Sequence, residues 1–327
     1  GYDPYYGVKV AAVTSESLGS GSGEGSFCYY DSTTGSTYLN VVYGSVHQYQ
    51  YTMRVWKSTS ACPMQGSYTD VTGAASTTAN SDSTVSGMKL MGNYTYTGSN
   101  LQYYDNGHCS YMTVSNNGSN DAGKTFISYH MRVDKATITE RALASTNYLN
   151  EARVHQVLYN EDGWQCVLPY QYSGETFSTS DEYEIAGIYS ILDHGTTMTK
   201  DFKSASRYVF SYADDSTTTN GNISDVYGNN VGTWSVTNNY LTLNINGSES
   251  KGVLLNMTDE LGTERLVFSS VGTASQNTLW GVKTGSFNTS AQWSNPDAEL
   301  SIDSEVYVHG KDDTYTTSSA YYYGTEI

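Results

Sequence analysis

Tyr49-Gln50-Tyr51-Thr52-Met53-Arg54-Val55-Trp56 alternates at the period of a β-strand. Tyr51, Met53 and Val55 fall on one face and Thr52, Arg54 and Trp56 on the other, because successive side chains of an extended chain point to opposite sides. Just upstream, Tyr38-Leu39-Asn40-Val41-Val42-Tyr43 reads the same way, and downstream so do Met88–Met91, Ser110–Val114, Thr125–His130 and Val154–Tyr159. Between these runs, Ser60 to Ser86 is rich in Ser, Thr, Ala, Gly and Asp and reads as a long loop or a weak edge strand. Thr139-Glu140-Arg141-Ala142-Leu143-Ala144 suits a helical turn by propensity and a loop insertion equally well.

The pattern changes after a polar, turn-rich stretch from Gln171 to Glu184. Beyond it, short runs such as Ile185–Tyr189, Tyr208–Tyr212, Gly232–Val236, Tyr240–Ile245, Lys251–Asn256 and Thr278–Val282 follow one another at fairly regular spacing. That spacing predicts an antiparallel up-and-down barrel or sandwich, and closing the sheet would remove its unpaired edges. From Gly285 the chain turns polar and ends on a tyrosine cluster, Tyr321-Tyr322-Tyr323, which suits an extra strand pair, a linker or the start of another module.

Composition agrees with an all-β chain. Among 327 residues there are 31 Tyr and 31 Gly against only 4 Pro; Tyr favours pleated half-buried surfaces, and Gly supplies tight turns. The length allows two domains of ordinary size. Thirty-three Asp and Glu against 16 Lys and Arg leave a formal charge of −17, which opposes binding to nucleic acid phosphates or an anionic membrane face and favours solubility. No apolar run is long enough for a membrane span, and the amino terminus has neither a basic nor an apolar leader region, so a signal peptide is expected to have been removed or to lie outside the chain. Cys28, Cys62, Cys109 and Cys166 match no zinc spacing; they allow three disulfide pairings or remain as free thiols. Sequons such as Asn93-Tyr94-Thr95, Asn117-Gly118-Ser119 and Asn222-Ile223-Ser224 arise by chance in so Asn- and Ser-rich a chain.

Catalytic signals are sparse. There is no Gly-rich phosphate loop followed by Lys, no Gly-x-Ser-x-Gly elbow and no paired His at helical spacing, which disfavours nucleotide and α/β-hydrolase chemistry. Two segments stand out. Ser22-Gly23-Glu24-Gly25-Ser26-Phe27 sets a carboxylate between glycines ahead of a Tyr-rich strand, and Asp105-Asn106-Gly107-His108-Cys109 reads as a His on a polar turn entering the next strand. A carboxylate beside aromatic rings suits sugar chemistry, in which one carboxyl group protonates the leaving oxygen and another activates water.

Arg153-Val154-His155-Gln156-Val157-Leu158-Tyr159-Asn160-Glu161-Asp162-Gly163-Trp164, continuing through Pro169-Tyr170, resembles glycoside hydrolase family 43, in its endo-1,5-arabinanase branch with a carboxy-terminal barrel. Supporting likenesses are Tyr43-Gly44, Met53–Ser58, Met88–Gly92, Gly107-His108 and Ile127–Arg132. The resemblance implies an all-β chain with a partial five-bladed β-propeller over residues 1–172, a lipocalin-like antiparallel β-barrel over 173–284, and a tail or further module over 285–327. It further implies a secreted, inverting enzyme cleaving α-1,5-arabinan, with Glu24 as general acid, Phe27 and Tyr43 as rings against substrate, and His108 as a ligand of calcium.

This sequence departs from the family pattern at Ser26-Phe27, where Pro-Tyr is usual, and at Cys109, where Asn is usual. The family's two aspartates lie on earlier blades, and neither Asp3 nor Asp31 sits in a matching strand context. The expectation is therefore a partner, an amino-terminal propeller portion supplied as a separate chain or cleaved fragment, that brings the base. The alternative is a non-catalytic carbohydrate-binding or cell-surface assembly protein derived from this fold.

Overall fold

The structure is a computed structural model, and it describes residues 23–44, 50–62, 66–78, 86–95, 102–115, 118–134, 148–214, 217–260 and 262–286. The helical turn or loop at 139–144, the tail beyond 286 and Asp3 lie outside the described residues. Every regular element described is a strand.

Strands β1 (Glu24–Asp31), β2 (Ser36–Tyr43), β3 (Thr52–Ser58) and β4 (Met88–Met91) form a four-stranded antiparallel sheet in sequence order. The alternation in β3 is real, and both of its faces are buried. Met53 and Val55 enter the core shared with the next sheet, while Trp56 packs with Leu39, Val41, Tyr43, Tyr68 and Met198 on the other side. Arg54 is tolerated there because Nη1 donates to Gly87 O at 3.0 Å and Nη2 to Thr196 O at 2.6 Å, satisfying a charge that would otherwise be stranded. The Ser60–Ser86 stretch contributes only isolated bridges, Lys57 to Thr69 and Thr69 to Ala75.

The second sheet is built on β5 (Tyr94–Thr95), β6 (Gln102–Thr113), β7 (Thr125–Asp134), β8 (Tyr148–Tyr159) and β9 (Gln165–Val167). Its inner face meets the first sheet through a row of stacked rings, with Tyr29 4.6 Å from Tyr111 and 5.4 Å from Tyr38, and Tyr38 5.3 Å from Tyr159. Asp105–Cys109 is not a turn leading into a strand but the interior of β6, which is longer than the Ser110–Val114 run because two bulges let polar residues stay within the ladder.

A closed barrel follows: β10 (Gly187–Asp193), then β12 (Ser206–Tyr212), β13 (Asn220–Ser224), β14 (Asn230–Thr237), β15 (Tyr240–Ile245), β16 (Ser248–Thr258), β17 (Glu264–Gly272) and β18 (Thr278–Gly285), which pairs back onto β10. Its interior is filled with rings, Tyr189 lying 4.3 Å from Phe210, which stacks in turn on Trp234. The short β11 (Lys203–Ser204) leaves the barrel and pairs in parallel with β5 on the second sheet.

The barrel presents a second apolar face outward. On β16, Leu254 points into the barrel while Val253, Leu255 and Met257 join the core beneath the sheets; Val267 and Val271 of β17 and Trp280 and Val282 of β18 do likewise. Strands buried on both faces lose alternation and read as continuous apolar runs, which is why Val253-Leu254-Leu255 looks as it does. Trp280 sits at the joint: Nε1 donates to Val167 O at 2.8 Å, and the ring meets His194 edge-on at 4.4 Å and Tyr94 at 5.4 Å. Backbone and side-chain bonds cross the same joint, Lys89 N to Gln276 O at 2.8 Å and Thr278 Oγ1 to Lys89 O at 2.9 Å.

Gly281 tests how tightly the barrel is packed, since a Cβ at that position would overlap the Phe268 ring. Gly281→Ala is expected to destabilise the chain by about 1–3 kcal/mol through overpacking, read as a lowered urea midpoint with an unchanged slope.

Candidate active site

Glu24 opens β1 as an exposed residue. The pairing of β1 with β2 slips between Glu24 and Phe27, where three steps on one strand match two on the other, Glu24 opposite Val42 and Phe27 opposite Asn40. The extra residue is accommodated by Gly25 at φ 54°, a left-handed conformation that glycine enters without steric cost. Glycine is also required for space, because a Cβ there would lie 2.8 Å from His108 Cα and 3.1 Å from its ring. The backbone at Gly25 therefore rests directly on His108, a residue far along the sequence.

The reciprocal features lie on β6, whose pairing with β7 slips twice, between Tyr104 and Gly107 and again between Gly107 and Ser110. Asp105 at φ 55° and His108 at φ 53° absorb the two extra residues. Neither is glycine, so each holds a conformation costing about 1–2 kcal/mol that the surrounding packing enforces. Between them Gly107 lies so close to β2 that a Cβ would stand 2.7 Å from Val42 Cγ1 and 2.9 Å from Tyr51 Cδ2. His108 is turned outward into solvent, its ring 6.2 Å from that of half-buried His130, which in turn lies 5.8 Å from Tyr51. Burial, then the neighbouring His108 and Arg132, hold the His130 imidazole below its ordinary pKa, so it is neutral at neutral pH.

The other expected site residues take supporting positions. Tyr43 is 1 % exposed and meets Trp56 edge-on at 6.0 Å. Burial raises its hydroxyl to about 12 despite Arg54, and a Cβ on Gly23 would touch its ring, so it props the approach to Glu24 rather than offering a face to a sugar. Phe27 is half-buried at the end of the aromatic row, 5.8 Å from Tyr111. Asp31 accepts from Thr33 N and Thr34 N, both at 2.9 Å, and from Tyr159 Oη at 3.0 Å; it shapes a turn. The four cysteines are free thiols, and burial pushes Cys109 and Cys166 up to about 12, so neither is a ready nucleophile.

Sequence reading missed Asp105 and Arg132. Asp105 is fully buried, its Oδ2 accepting from Arg132 Nη1 at 3.2 Å while Oδ1 has no partner. Burial outweighs the guanidinium and pushes the carboxyl up to about 7. Asn106 Oδ1 and the Gln50 amide are likewise buried and unpartnered, although Asn106 Nδ2 donates to Gly92 O at 2.9 Å. Nothing in the run Asp105-Asn106-Gly107-His108 announces this, since Arg132 reaches it only across the β6–β7 ladder.

The calcium expected at His108 finds an imidazole neighbour rather than the set of oxygens calcium prefers, and among the described residues no three His, Cys, Asp or Glu side chains converge to hold a metal. Oxygens from water would have to complete any calcium coordination at His108.

Residues 169–281 match the family model described as the C-terminal lipocalin-like domain of glycoside hydrolase family 43. The extracellular endo-alpha-(1->5)-L-arabinanase 2 of Bacillus subtilis (strain 168) is 28 % identical over 201 residues, 60 % of this chain and 38 % of that protein. The extracellular endo-alpha-(1->5)-L-arabinanase of Thermotoga petrophila is 29 % identical over 261 residues, 76 % of this chain and 49 % of that protein. The crystal structure of the endo-1,5-alpha-L-arabinanase from Thermotoga petrophila with Tris superposes with a TM-score of 0.67 at 27 % identity, covering 85 % of this chain and 57 % of that one. A family 43 structure from Bacillus licheniformis, at 23 % identity and a TM-score of 0.66, shares the fold. The chain thus spans about half, or less, of the length of the curated relatives it matches.

The buried Asp105 makes stability depend on pH in a defined direction. Its folded value of about 7 lies above the ordinary carboxylate value of about 4, so the folded state keeps a proton that the unfolded chain has lost, and this contribution is full below pH ~4 and disappears as pH rises to ~7. The unfolding free energy of the parent minus that of Asp105→Asn is expected to fall by up to about 1.4 kcal/mol per pH unit across that window, measured by urea unfolding at stepped pH. A pH-independent difference would contradict this assignment.

Proposed function

We propose, from the premise that this chain is a partial member of glycoside hydrolase family 43 carrying its C-terminal lipocalin-like domain, that it contributes the proton-donating half of an extracellular endo-arabinanase site. The observation that carries this reading is the glycine bulge that packs Gly25 on His108, because it gives the adjoining Glu24 carboxylate a defined place on a strand end beside a strained polar cluster. Bulges and enforced left-handed residues concentrate where side chains must be aimed. Two relatives named as extracellular endo-arabinanases support α-1,5-arabinan as substrate and an extracellular setting, and among the described residues no helix is long and apolar enough to cross a membrane.

In this reading Glu24, protonated, gives its proton to the leaving glycosidic oxygen, and a carboxylate across the cleft takes one from water, which attacks the opposite face of the sugar. An inverting pair of this kind stands about 6.5–9.5 Å apart so that the water fits between. Glu24 is exposed among the described residues, open to the partner that brings the base. That partner is an amino-terminal propeller portion, on a separate chain or a cleaved fragment, completing blades of which the two packed sheets here are part.

The exposure of Glu24 and the burial of Tyr43 favour a second reading, a carbohydrate-binding or assembly protein that kept the fold without the chemistry. The two separate by experiment. Intact mass spectrometry of the native complex is expected to find a second polypeptide at one equivalent, and Glu24→Gln is expected to lower hydrolysis of debranched arabinan by about 100-fold or more with the melting temperature unchanged. A complete native sample that leaves arabinan uncut establishes the binding-protein reading instead.

A further inference from the structure

We propose that His194 is an acid-sensitive latch between the barrel and the two sheets, holding them together while its imidazole is neutral and releasing them when the ring takes up a proton. His194 follows directly on β10, and its backbone N–H donates to Thr278 O on β18 at 3.1 Å. Its ring meets Trp280 edge-on at 4.4 Å and Tyr94 of the second sheet at 5.6 Å, and the residue is 1 % exposed. Both ring nitrogens are buried, and neither has a hydrogen-bond partner among the described residues.

Those two unpartnered nitrogens set His194 apart from a satisfied core histidine. His155 also lies against Trp280, its ring stacked at 6.4 Å, but its Nδ1 is 2.7 Å from Leu168 O and its Nε2 3.1 Å from Tyr129 Oη. At His194 the neutral ring leaves one donor and one acceptor unmet, a cost that its aromatic packing offsets. An imidazolium is a charged double donor, and burying it with no acceptor costs far more. Opening the joint hydrates that charge. The bonds broken in doing so lie close by: Trp280 Nε1 to Val167 O and Lys89 N to Gln276 O, each at 2.8 Å.

The surrounding groups do not compensate a proton. Burial, and after it the Lys89 ammonium on β4, hold the His194 imidazole well below its ordinary pKa. Lys89 is fixed in place, Nζ donating to Thr197 O at 2.8 Å, and Lys203 of β11 brings a second cation alongside Gly195. Tyr94 of β5 stacks on Tyr103 of β6 at 5.2 Å, and burial keeps the Tyr103 hydroxyl un-ionised. Asp193, next to His194 in the chain, is exposed and accepts from Gly195 N and Asn277 Nδ2, both at 2.8 Å. On β8 and the loop after β16, Glu151 and Glu260 are both engaged by Arg153. Burial holds His155 at about 4, so it too stays neutral in mild acid.

A released imidazole titrates near its ordinary value of about 6.5 and the docked one well below it, so the open form binds a proton that the docked form lacks. Docking is therefore at full strength above pH ~6.5, and its equilibrium constant falls by up to about tenfold for each pH unit below that.

The proposal does not rest on the glycosidase reading, and its readout is hydrogen exchange of the full chain, followed amide by amide by NMR from pH 7 to 4.5 and corrected for the intrinsic rate. Protection of the Lys89 and Lys203 amides, which bond across the joint to Gln276 O and Asn93 O, is expected to fall by up to about tenfold per pH unit below ~6.5, while β14 and β15 keep theirs. His194→Phe keeps an aromatic edge against Trp280 and gives up no ring hydrogen bond; it should abolish this pH dependence, as should His194→Gln. The Asp105 contribution is common to parent and variants and cancels in the comparison. Joint protection that ignores pH in the parent, an equal fall in the variants, or loss at β14 and β15 in step with the joint overturns the proposal. Should both variants melt early, the parent's own profile decides: a fall confined to the joint upholds the latch, and one shared by β14 and β15 removes it.

Discussion

Burial of β16, β17 and β18 on both faces at once is the constraint on which the rest of the molecule depends. One face of these strands closes the barrel over Phe268 and Leu254, and the other supplies Val253, Leu255, Val267 and Trp280 to the core under the sheets. An apolar strand face left in water forfeits about 25 cal/mol for every Å² it exposes, so barrel and sheets stabilise each other across this joint. Trp280 is its pivot, since truncating a buried Trp costs about 3–5 kcal/mol, and here the indole also satisfies the Val167 carbonyl.

From that joint outward, rigidity reaches the candidate site through the sheets. The aromatic row from Phe27 through Tyr111, Tyr29 and Tyr38 to Tyr159 locks β1 against β6 and β8, so a bulge in β1 and two in β6 can be held where they meet. A flexible support would let Asp105 and His108 relax out of the left-handed region. The packing of Gly107 on Val42 and Tyr51 and of Gly25 on His108 prevents it. The outcome is a short stretch where one exposed carboxylate, two imidazoles and a buried carboxylate–guanidinium pair lie on adjoining strands.

The charge distribution fits this division of labour. With a formal charge of −17 the chain carries many carboxylates in water, yet among the described residues the acid with the strongly raised pKa is Asp105, which is sealed, while Glu24 is open. A sealed acid stores energy and shapes a strand; an open one can reach a ligand. Acid–base hydrolysis of a glycoside needs a partner for the open one, because a single carboxyl group cannot both deliver a proton and deprotonate the attacking water on the opposite face.

Much of the fold was legible in the sequence. Alternation over Tyr49–Trp56 marked a strand, the spaced apolar runs after Glu184 marked a barrel, and the run from Arg153 to Tyr170 carried the family likeness, because period, turn residues and local composition are properties of neighbours along the chain. Glu24 and His108 were also singled out, by their glycine neighbours. What only the tertiary structure decided was that the Gly25 backbone beside Glu24 packs on His108, that Asp105–Cys109 is a doubly bulged strand, that Tyr43 is buried, and that Arg132 and His130 complete the cluster. The physical reason is that register slips and cross-strand contacts arise from the competition of three sheets for the same buried volume, and a local sequence pattern records which faces are apolar but not which residues will be pressed together.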